Sequence, residues 1–306
     1  MTEGLIQPEE GSEFRSGFVA VVGRPNVGKS TLVNALVGGK VAITSDKPQT
    51  TRSAIRGILN LPGAQVVLID TPGYHKPRTL LGKRLNELVR EAWADVDLAL
   101  FVVDGKAGIG TGDQKVAADL EAAGRPIFCV VNKIDGLGKD GVLGALATAS
   151  RLGSYDEYVP VSALRADGVD LLRDLIVARI PEGPMFYPDN SNTDQPPPAF
   201  IGELVREKLL RRTQQELPHS IAVVTEDYEE HEDGLLEIHA TVYVERDSQK
   251  GMVIGKGGEM IKVVGTEARE EIETLFGRKV FLELRVKVEK DWQRRAYALE
   301  RLGLGG

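Results

Sequence analysis

The stretch "GRPNVGKS", residues 23–30, has residue types and a spacing that suit phosphate binding. Its glycines let backbone N–H groups surround phosphate oxygens, and Lys29 supplies a positive charge for the β- and γ-phosphates. The hydroxyl of Ser30 is placed to bind Mg²⁺. The stretch follows an apolar strand pattern and precedes a helical one, which is the setting of a P-loop. We therefore predict a phosphate site that comprises Gly23, Arg24, Pro25, Asn26, Val27, Gly28, Lys29, Ser30 and Thr31.

A carboxylate at the end of a second apolar strand pattern, "VVLIDTPG", suits the same chemistry. Asp70 can hold a water molecule bound to Mg²⁺, and the N–H group of Gly73 can bind a γ-phosphate. A plain Thr-Pro-Gly turn is the alternative. We predict that this segment contributes Asp70, Thr71, Pro72 and Gly73 to the site.

The segment "VVNKID" indicates which base the site selects. The carboxylate of Asp135 can accept two hydrogen bonds from guanine, whereas adenine lacks that pair of donors and would leave the carboxylate unpaired. Asn132 can tie this loop to its neighbours, and the stem of Lys133 can cover the ring. In "PVSA" the backbone of Ser162 and Ala163 can meet the guanine oxygen. Four such motifs at strand ends, in this order, predict a GTP site.

A polar loop, "KVAITSDKPQTTRSAI", lies between the first helix pattern and the next strand. A threonine here could complete the Mg²⁺ coordination only while a γ-phosphate is bound, which would make the loop a switch. We choose Thr51, and Thr50 is the alternative. An ordinary surface loop is the simpler interpretation. The predicted metal ligands are Ser30, Thr51 and Asp70.

The residue that should position the attacking water is not evident. Ras-like proteins have a glutamine directly after Asp-x-x-Gly, and here the residue is Tyr74. Asn26 is one candidate helper, because in related GTPases an asparagine here accompanies a potassium ion; it could equally cap its own loop. The residues predicted to take part in catalysis are Lys29, Thr51, Gly73 and Asn26.

The pattern of elements predicts two domains and a linker. Short β-branched strands alternate with helical stretches up to Pro181, which indicates an α/β domain with a doubly wound, mostly parallel sheet and an antiparallel edge strand at "SAIRGILNL". A Pro- and Asn-rich stretch follows, stiffened by polyproline geometry near Pro196–Pro198. We predict a flexible tail at 1–14, the first domain at 15–183, the linker at 184–199 and a smaller α+β domain at 200–306.

The second domain contains "VIGKGGEMIK", a Gly-x-x-Gly between two helical stretches. Such a loop lets the backbone approach a sugar-phosphate chain, as in the KH clamp for about four single-stranded nucleotides. A glycine-rich turn is the alternative, and the basic residues of "VREKLLRR" could be an RNA footprint or a solvated helix face. We assign RNA binding to Val253, Ile254, Gly255, Lys256, Gly257, Gly258, Ile261 and Lys262, with the aliphatic members as a floor for bases.

Composition is that of a soluble globular protein of 306 residues, 42% apolar and 27% charged, with a net charge of −7. The charge offers no global attraction for nucleic acid. A single cysteine, Cys129, excludes an internal disulfide and lies in an apolar run typical of a core. No pattern of a signal peptide or membrane span is present, so we expect a cytoplasmic protein.

The two motif sets together resemble the Era family of bacterial GTPases, from about residue 14 to residue 302. The resemblance implies GTP hydrolysis with Mg²⁺, GDP as product, and a KH domain of the type II strand order. It also implies binding to the 3′ end of 16S ribosomal RNA at a GAUCA-like segment, with a role in maturing the 30S subunit. Some family members associate peripherally with the inner membrane, which nothing in this sequence indicates. We expect a monomer, and a residue other than glutamine after Asp-x-x-Gly agrees with the family.

Two other functions fit the same motifs. The chain could be an RNA-binding adaptor that binds GTP with negligible turnover, or a GTPase switch whose KH fold binds a protein. Single-turnover hydrolysis distinguishes the first alternative, and crosslinking to RNA in cells distinguishes the second.

Overall fold

The computed structural model describes residues 14–74, 77, 79–213 and 217–304, which form two compact units. The first unit contains the described residues up to 42 together with 54–74 and 89–194. The second contains 43–53, the described residues of 75–88, and those from 195 onward. Apart from Phe14, the predicted flexible tail at 1–14 lies outside the described residues.

The first unit is built on a six-stranded sheet in the order β2-β3-β1-β4-β5-β6. All neighbouring pairs are parallel except β2 and β3, so the predicted antiparallel edge strand is confirmed. The strands are β1 (Arg15–Val22), β2 (Ile55–Leu61), β3 (Ala64–Asp70), β4 (Leu98–Asp104), β5 (Ile127–Asn132) and β6 (Glu157–Pro160).

Helices cover both faces of this sheet. They are α1 (Lys29–Val37), the last part of α2 (Leu80–Ala94), of which residues 89–94 belong to this unit, α3 (Thr111–Ala123), α4 (Lys139–Ala149) and α5 (Val169–Arg179). Alternate residues of the central strands point to opposite faces: Leu100 of β4 packs with α1 and α5, while its neighbour Phe101 packs with α3 and α4. Because both faces are buried, the strands are continuously apolar, as the sequence indicated. Cys129 is fully buried in the second of these cores.

The predicted linker is largely part of the first unit. The amide oxygen of Gln65, on β3, accepts hydrogen bonds from the N–H groups of Phe186 and Tyr187. Further along, Ile58 of the edge strand β2 donates its N–H to the carbonyl of Asn192 at 2.8 Å. The side chain of Thr193 donates to the carbonyl of Arg56 on the same strand. Residues 191–193 therefore run along the free edge of β2.

The second unit contains a three-stranded sheet in the order β7-β8-β9, with β7 antiparallel and β9 parallel to β8. Its strands are β7 (Ala222–Glu230), β8 (Leu236–Val244) and β9 (Val280–Val288). Its helices are α6 (Pro197–Arg212), α7 (Asp247–Ile254), α8 (Glu259–Phe276) and α9 (Ala296–Arg301). An apolar core joins α6, α8 and the sheet. The helix-strand-strand-helix-loop-helix-strand order agrees with the predicted type II KH fold.

The start of α6 differs from the prediction of polyproline structure near Pro196–Pro198. The helix begins at Pro197, so two of these prolines occupy its first turn. Proline suits that position because the first N–H groups of a helix have no intrahelical partner and the ring already holds a helical φ. Along the part of the chain that the structure describes, no helix is both long and apolar enough to cross a bilayer.

Candidate nucleotide site and nucleic-acid interface

The glycine-rich loop lies between the end of β1 and the start of α1, at the carboxyl edge of the sheet. Within it, the ammonium of Lys29 donates to the carbonyl oxygens of Gly23 and Arg24, each at 3.2 Å. Burial lowers the pKa of Lys29 to about 8, and the charge of Asp70 offsets part of this effect. A polyphosphate here would supply the negative charge that the buried ammonium lacks.

Ser30 and Asp70 meet beside this loop. The hydroxyl of Ser30 donates to Oδ2 of Asp70 at 2.6 Å. A hydroxyl and a carboxylate oxygen are hard oxygen ligands of the kind that Mg²⁺ prefers. The pair therefore fits a magnesium ion bound together with a nucleotide.

Gly73 packs directly against the phosphate loop. A Cβ atom added at this position would lie 2.7 Å from the Cα atom of Pro25. This is a steric clash, and removing it would require the backbone of the phosphate loop to move. The next N–H group, that of Tyr74, donates to the carbonyl of Gly23. The Thr-Pro-Gly segment and the phosphate loop therefore form one continuous backbone surface within the first unit.

Tyr74 faces away from the chemistry predicted at this loop. Its side chain is buried in an apolar core beside Trp93, and its hydroxyl accepts a hydrogen bond from Arg90. A phenol fixed in this way cannot orient an attacking water as a glutamine does.

Asn132 joins the three loops at the carboxyl edge of the sheet. Its Nδ2 donates to the carbonyl of Val27 in the phosphate loop at 2.9 Å. Its Oδ1 accepts from the N–H groups of Lys133 and Ala163 at 2.8 and 3.0 Å. One amide side chain thus holds the phosphate loop, the segment after β5 and the segment after β6 in register.

The carboxylate of Asp135 is positioned by Ser162, whose hydroxyl donates to Oδ1 at 2.8 Å. This hydrogen bond holds the pKa of Asp135 below its ordinary value, so the carboxylate is charged and accepts hydrogen bonds only. The side chain is partly exposed and is oriented before a base arrives.

The backbone N–H groups of Ser162 and Ala163 are hydrogen-bonded within the protein. The N–H of Ser162 donates to the carbonyl of Asp167, and the N–H of Ala163 donates to Oδ1 of Asn132, so their contact with the guanine oxygen stays a prediction. The ammonium of Lys133 binds Asp104 at 2.7 Å and the carbonyl of Asn26. The Lys133 stem thereby spans from the base loop to the phosphate loop.

Asp104, at the end of β4, is a member of the site that the motifs did not indicate. Burial would raise its pKa, but hydrogen bonds from Lys133 and from the N–H groups of Ala107 and Lys106 keep the pKa below its ordinary value. A carboxylate at the end of an apolar strand is the signal that could have found it.

The Gly-x-x-Gly loop of the second unit joins α7 to α8. Gly255 has a φ of +77°, and a Cβ atom there would lie 2.7 Å from the Cβ of Met260, so only glycine fits. By contrast, a Cβ at Gly257 or Gly258 would have no atom within 4 Å. The side chain of Lys256 is exposed. The loop therefore presents backbone and one cation to open space.

A groove of about 330 Å³ lies between α8, the helix that follows this loop, and β9. Ile261, Lys262, Thr266 and Arg269 line the helix side, and Leu282 and Leu284 line the strand side. Gly265 leaves the middle of the groove open, since even an added Cβ would only touch Leu284 at 3.6 Å. The strand side was not predicted, because β9 is far from the loop in sequence.

Val253 differs from its predicted role. It is fully buried in the core of the second unit, so it supports the loop and has no surface for a base. Two of the four basic side chains of α6 also differ from both predicted roles, whereas Arg211 and Arg212 are exposed, as on a solvated helix face. Arg206 and Lys208 are buried, and the α6 cations pair with Glu203, Glu207, Glu267 and Glu271.

Most of the predicted switch loop, which spans residues 40–55, belongs to the second unit, namely residues 43–53. The N–H of Thr44 donates to Glu207 at 2.8 Å, and the carbonyl of Thr50 accepts from Arg206. The guanidinium of Arg52 donates to the carbonyl of Ile221 and lies 5.5 Å from the centre of the Trp292 ring. Thr51 is buried within this segment, and the hydroxyl of Thr50 is bonded to the carbonyl of Lys47.

Two family models match the chain, each on one of the motif sets. The model described as 50S ribosome-binding GTPase matches residues 18–133, and the model described as KH domain matches residues 216–293. The GTPase Era proteins of Mycobacterium tuberculosis and Heliobacterium modesticaldum are 52% and 48% identical to this chain in sequence. These alignments span 298 and 291 residues, cover 95% of this chain in both cases, and cover 99% and 97% of those proteins.

The chain belongs to the Era family of GTPases. It is accordingly an enzyme that hydrolyses GTP, and its P-loop domain and KH domain are those of the family.

Two solved Era structures resemble this Era-family chain over nearly its whole length. One is a point variant of Aquifex aeolicus Era bound to GDP and aluminium fluoride, with a TM-score of 0.92. The other is Era in complex with MgGDPNP and nucleotides 1506–1542 of 16S ribosomal RNA, with a TM-score of 0.91. Both are 36% identical to this chain, and both alignments cover 96% of it and all of the other protein. The predicted α/β GTPase and KH folds are thus confirmed.

Proposed function

We propose that this Era-family GTPase binds GTP with Mg²⁺ in the first unit, binds the 3′ end of 16S ribosomal RNA through the KH loop and groove, and assists assembly of the 30S subunit. The observation that carries the proposal is the Gly-x-x-Gly loop, whose Gly257 and Gly258 face open space, together with a groove beside the helix that follows it, α8. The Era structure solved with a 16S ribosomal RNA fragment supports the choice of ligand.

The nucleotide part of the proposal is supported by three fixed contacts. Lys29 is buried against the phosphate loop, Ser30 and Asp70 meet as a Mg²⁺ ligand pair, and Ser162 orients Asp135 toward the base. When bound, Mg²⁺ would neutralise charge on the phosphates. The MgGDPNP in the related structure agrees with this choice of metal.

Thr51 would serve as the further metal ligand in the GTP state. The contacts of residues 43–53 with Glu207, Arg206 and Trp292 compete with that role, since they hold the same segment in the second unit. GTP binding and these contacts would then favour different positions of one segment.

Asn26 remains our candidate for holding a potassium ion in place of an arginine finger. Its φ of +65° is an uncommon backbone conformation for a residue other than glycine. Hydrolysis should then be faster in K⁺ than in Na⁺ at equal ionic strength, and Asn26→Ala should abolish that difference. Equal rates in both salts would contradict the potassium proposal.

RNA binding is tested by the double variant Lys256→Asp, Gly257→Asp. It places two carboxylates where phosphate should approach, and a Cβ at Gly257 would meet no atom within 4 Å. The φ of Gly257 is +62°, a left-handed conformation that aspartate tolerates better than most residues, and the control position Gly277 has a matching φ of +65°, so the control carries the same backbone strain. Fluorescence anisotropy of a labelled 16S 3′-end oligonucleotide should show weakened binding. The slope of the logarithm of the binding constant against the logarithm of the salt concentration should become less steep by about 0.7 for each lost phosphate contact. GTP affinity should be unaltered.

A matched control is the pair Lys279→Asp, Gly277→Asp, also in the second unit and also exposed. It makes the same charge change away from the loop, at the end of α8. If RNA binding survives the loop variant, or falls equally in the control, the clamp is misplaced. Hydrolysis of GTP in a single turnover then decides between the proposed switch and an adaptor with negligible turnover.

A further inference from the structure

The side chain of Arg24 attaches the phosphate loop to the beginning of α3, within the first unit. Its Nε donates to Oδ2 of Asp113, in the first turn of that helix, at 3.0 Å. Its Nη2 donates to the carbonyl of Gly108 at 3.2 Å. The stem of Arg24 passes close to Gly112, where an added Cβ would lie 3.7 Å from the Cβ of the arginine. A side chain of the phosphate loop is therefore held by residues that follow β4.

Asp113 is a firm partner for this arginine. The residue is 0% exposed, and the same Oδ2 also accepts from the N–H of Gly110 at 2.9 Å, which fixes the carboxylate at the start of α3. Its other oxygen, Oδ1, is buried and has no hydrogen-bond partner among the described residues. A buried carboxylate needs a cation beside it, and the guanidinium of Arg24 supplies one.

The backbone of Arg24 contacts the lysine that is proposed to bind phosphate. The ammonium of Lys29 donates to two carbonyl oxygens, those of Gly23 and Arg24. The first is fixed by packing, because an added Cβ at Gly23 would overlap the carbonyl oxygen of Val102 on β4. The second belongs to the residue whose side chain α3 holds. The two attachments together determine where the Lys29 ammonium lies.

We propose that Arg24 is a positioning residue for GTP hydrolysis, which acts through Lys29 and not through contact of its guanidinium with the nucleotide. The inference rests on the proposed GTP site. Hydrolysis depends on charged groups that are already in place when charge develops on the phosphates. A misplacement of about 1 Å can lower a rate about a hundredfold. Nucleotide binding is shared among many contacts, so a displaced Lys29 slows hydrolysis more than it weakens binding.

The test compares melting temperature and steady-state hydrolysis in two variants of the full chain. Arg24→Met leaves the carboxylate of Asp113 buried without its cation, so the melting temperature should fall. The double variant Arg24→Met, Asp113→Asn removes that buried charge and should regain most of the melting temperature. Its hydrolysis should not recover. We expect kcat to stay about tenfold or more below that of the unaltered protein, with a change in KM of about threefold or less.

The single variant Asp113→Asn isolates the hydrogen bonds of Arg24. It has the same amide at position 113 as the double variant, and the amide oxygen can still accept from Nε of Arg24 and from the N–H of Gly110. Its kcat should therefore exceed that of the double variant by about fivefold or more, since the arginine still holds the loop.

The matched control is Arg15→Met. Arg15 lies at the other end of β1, and its guanidinium donates to the carbonyl of Ile180 at 2.7 Å. The control removes the same group from the same unit, away from the phosphate loop, and should leave kcat unaltered.

Three results would overturn the proposal. The first is a kcat that recovers together with the melting temperature in the double variant, since Arg24 would then only balance a buried charge. The second is an equal kcat in the double variant and in Asp113→Asn. The third is an equal loss of kcat in Arg15→Met and in the double variant.

Failure of the proposed GTP site gives a different result. Lys29→Ala would then hydrolyse GTP like the unaltered protein, which would remove both the site and this role of Arg24. If the inference alone is wrong, Lys29→Ala is inactive while the double variant keeps the unaltered kcat.

Discussion

Lys29 illustrates how one buried charge prepares a phosphate site. Burial lowers its pKa to about 8. Near pH 8, therefore, only about half of the nucleotide-free protein molecules carry a proton on this amine. Bound phosphates raise that pKa, so the bound state holds more protons than the free state. Affinity for nucleotide should therefore fall as pH rises through 8.

Calorimetry of GDP binding in buffers of different ionisation enthalpy should detect uptake of about half a proton at pH 8. It should detect much less at pH 7, where the free amine already holds most of its proton and the terminal phosphate, with a pKa of about 6, is still largely ionised. At pH 8 the guanine ring N–H is still protonated, so it does not mask the effect. Uptake that is the same at both pH values would contradict this assignment of the lowered pKa to Lys29.

Asp135 should set the choice of base. Asp135→Asn replaces an acceptor by an amide that pairs with the added carbonyl of xanthine, so the variant should lose GTP affinity and gain affinity for xanthosine triphosphate. Ser162→Ala removes only the hydrogen bond that orients the carboxylate and should weaken both nucleotides modestly, by about 1 kcal/mol. Competition binding measures the two preferences, and an unchanged preference for GTP in Asp135→Asn would exclude this role.

At the scale of single residues, the sequence predicted those side chains that lie at or just after the ends of strands, because the strand order brings them together. Ser30 and Asp70, and Asp135 and Ser162, meet because parallel strands end at one edge. Asp104 and the two occupied N–H groups could not be predicted, since they depend on hydrogen bonds between loops that carry no local pattern.

Among the elements, the segment 43–53 is held by side chains from the far end of the chain. Arg52 stacks on Trp292, whose own Nε1 donates to the carbonyl of Ser220 at 3.1 Å. Arg52→Gln removes the cation–π contact and weakens the hydrogen bond to Ile221. Amide exchange across 43–53 should then accelerate about tenfold, as expected for a loss of about 1.4 kcal/mol.

The control for this prediction is Arg56→Gln. Arg56 forms its ion pair with Asp194 inside the first unit and does not contact Trp292. Exchange in 43–53 should be unaltered by it, and exchange in the central strand β1 should be unaltered by either variant. Equal acceleration by both variants would show that Arg52 does not attach the segment.

Element types were predictable where the hydrophobic period was clear, as in the six strands of the first unit. The boundaries at Pro197 and at α9 were not. A proline is compatible both with extended chain and with the first turn of a helix, so the sequence did not decide between them. The six residues of α9 are too few to show a period, and they form because Leu299 and Leu302 pack with Trp292.

For the whole molecule, nucleotide and RNA should influence each other. One segment, 43–53, carries the candidate metal ligand Thr51 and the contacts to Glu207, Arg206 and Trp292. If GTP changes RNA affinity, RNA must change GTP affinity by the same factor, typically corresponding to about 1–3 kcal/mol. Anisotropy with the labelled oligonucleotide and a labelled GTP analogue measures both factors, and Arg52→Gln should alter them equally. If neither ligand shifts the other, the two sites are independent.

The segment that pairs with the outer edge of β2 decides where the first domain can be cut from the rest of the chain. Residues 191–193 pair with the outer edge of this strand, through Asn192 and Thr193. A fragment cut at residue 183, where the sequence pattern ends the first domain, would leave that edge unpaired. Open strand edges recruit further chains, so such a fragment would aggregate, and a fragment that extends to Asp194 would stay dispersed.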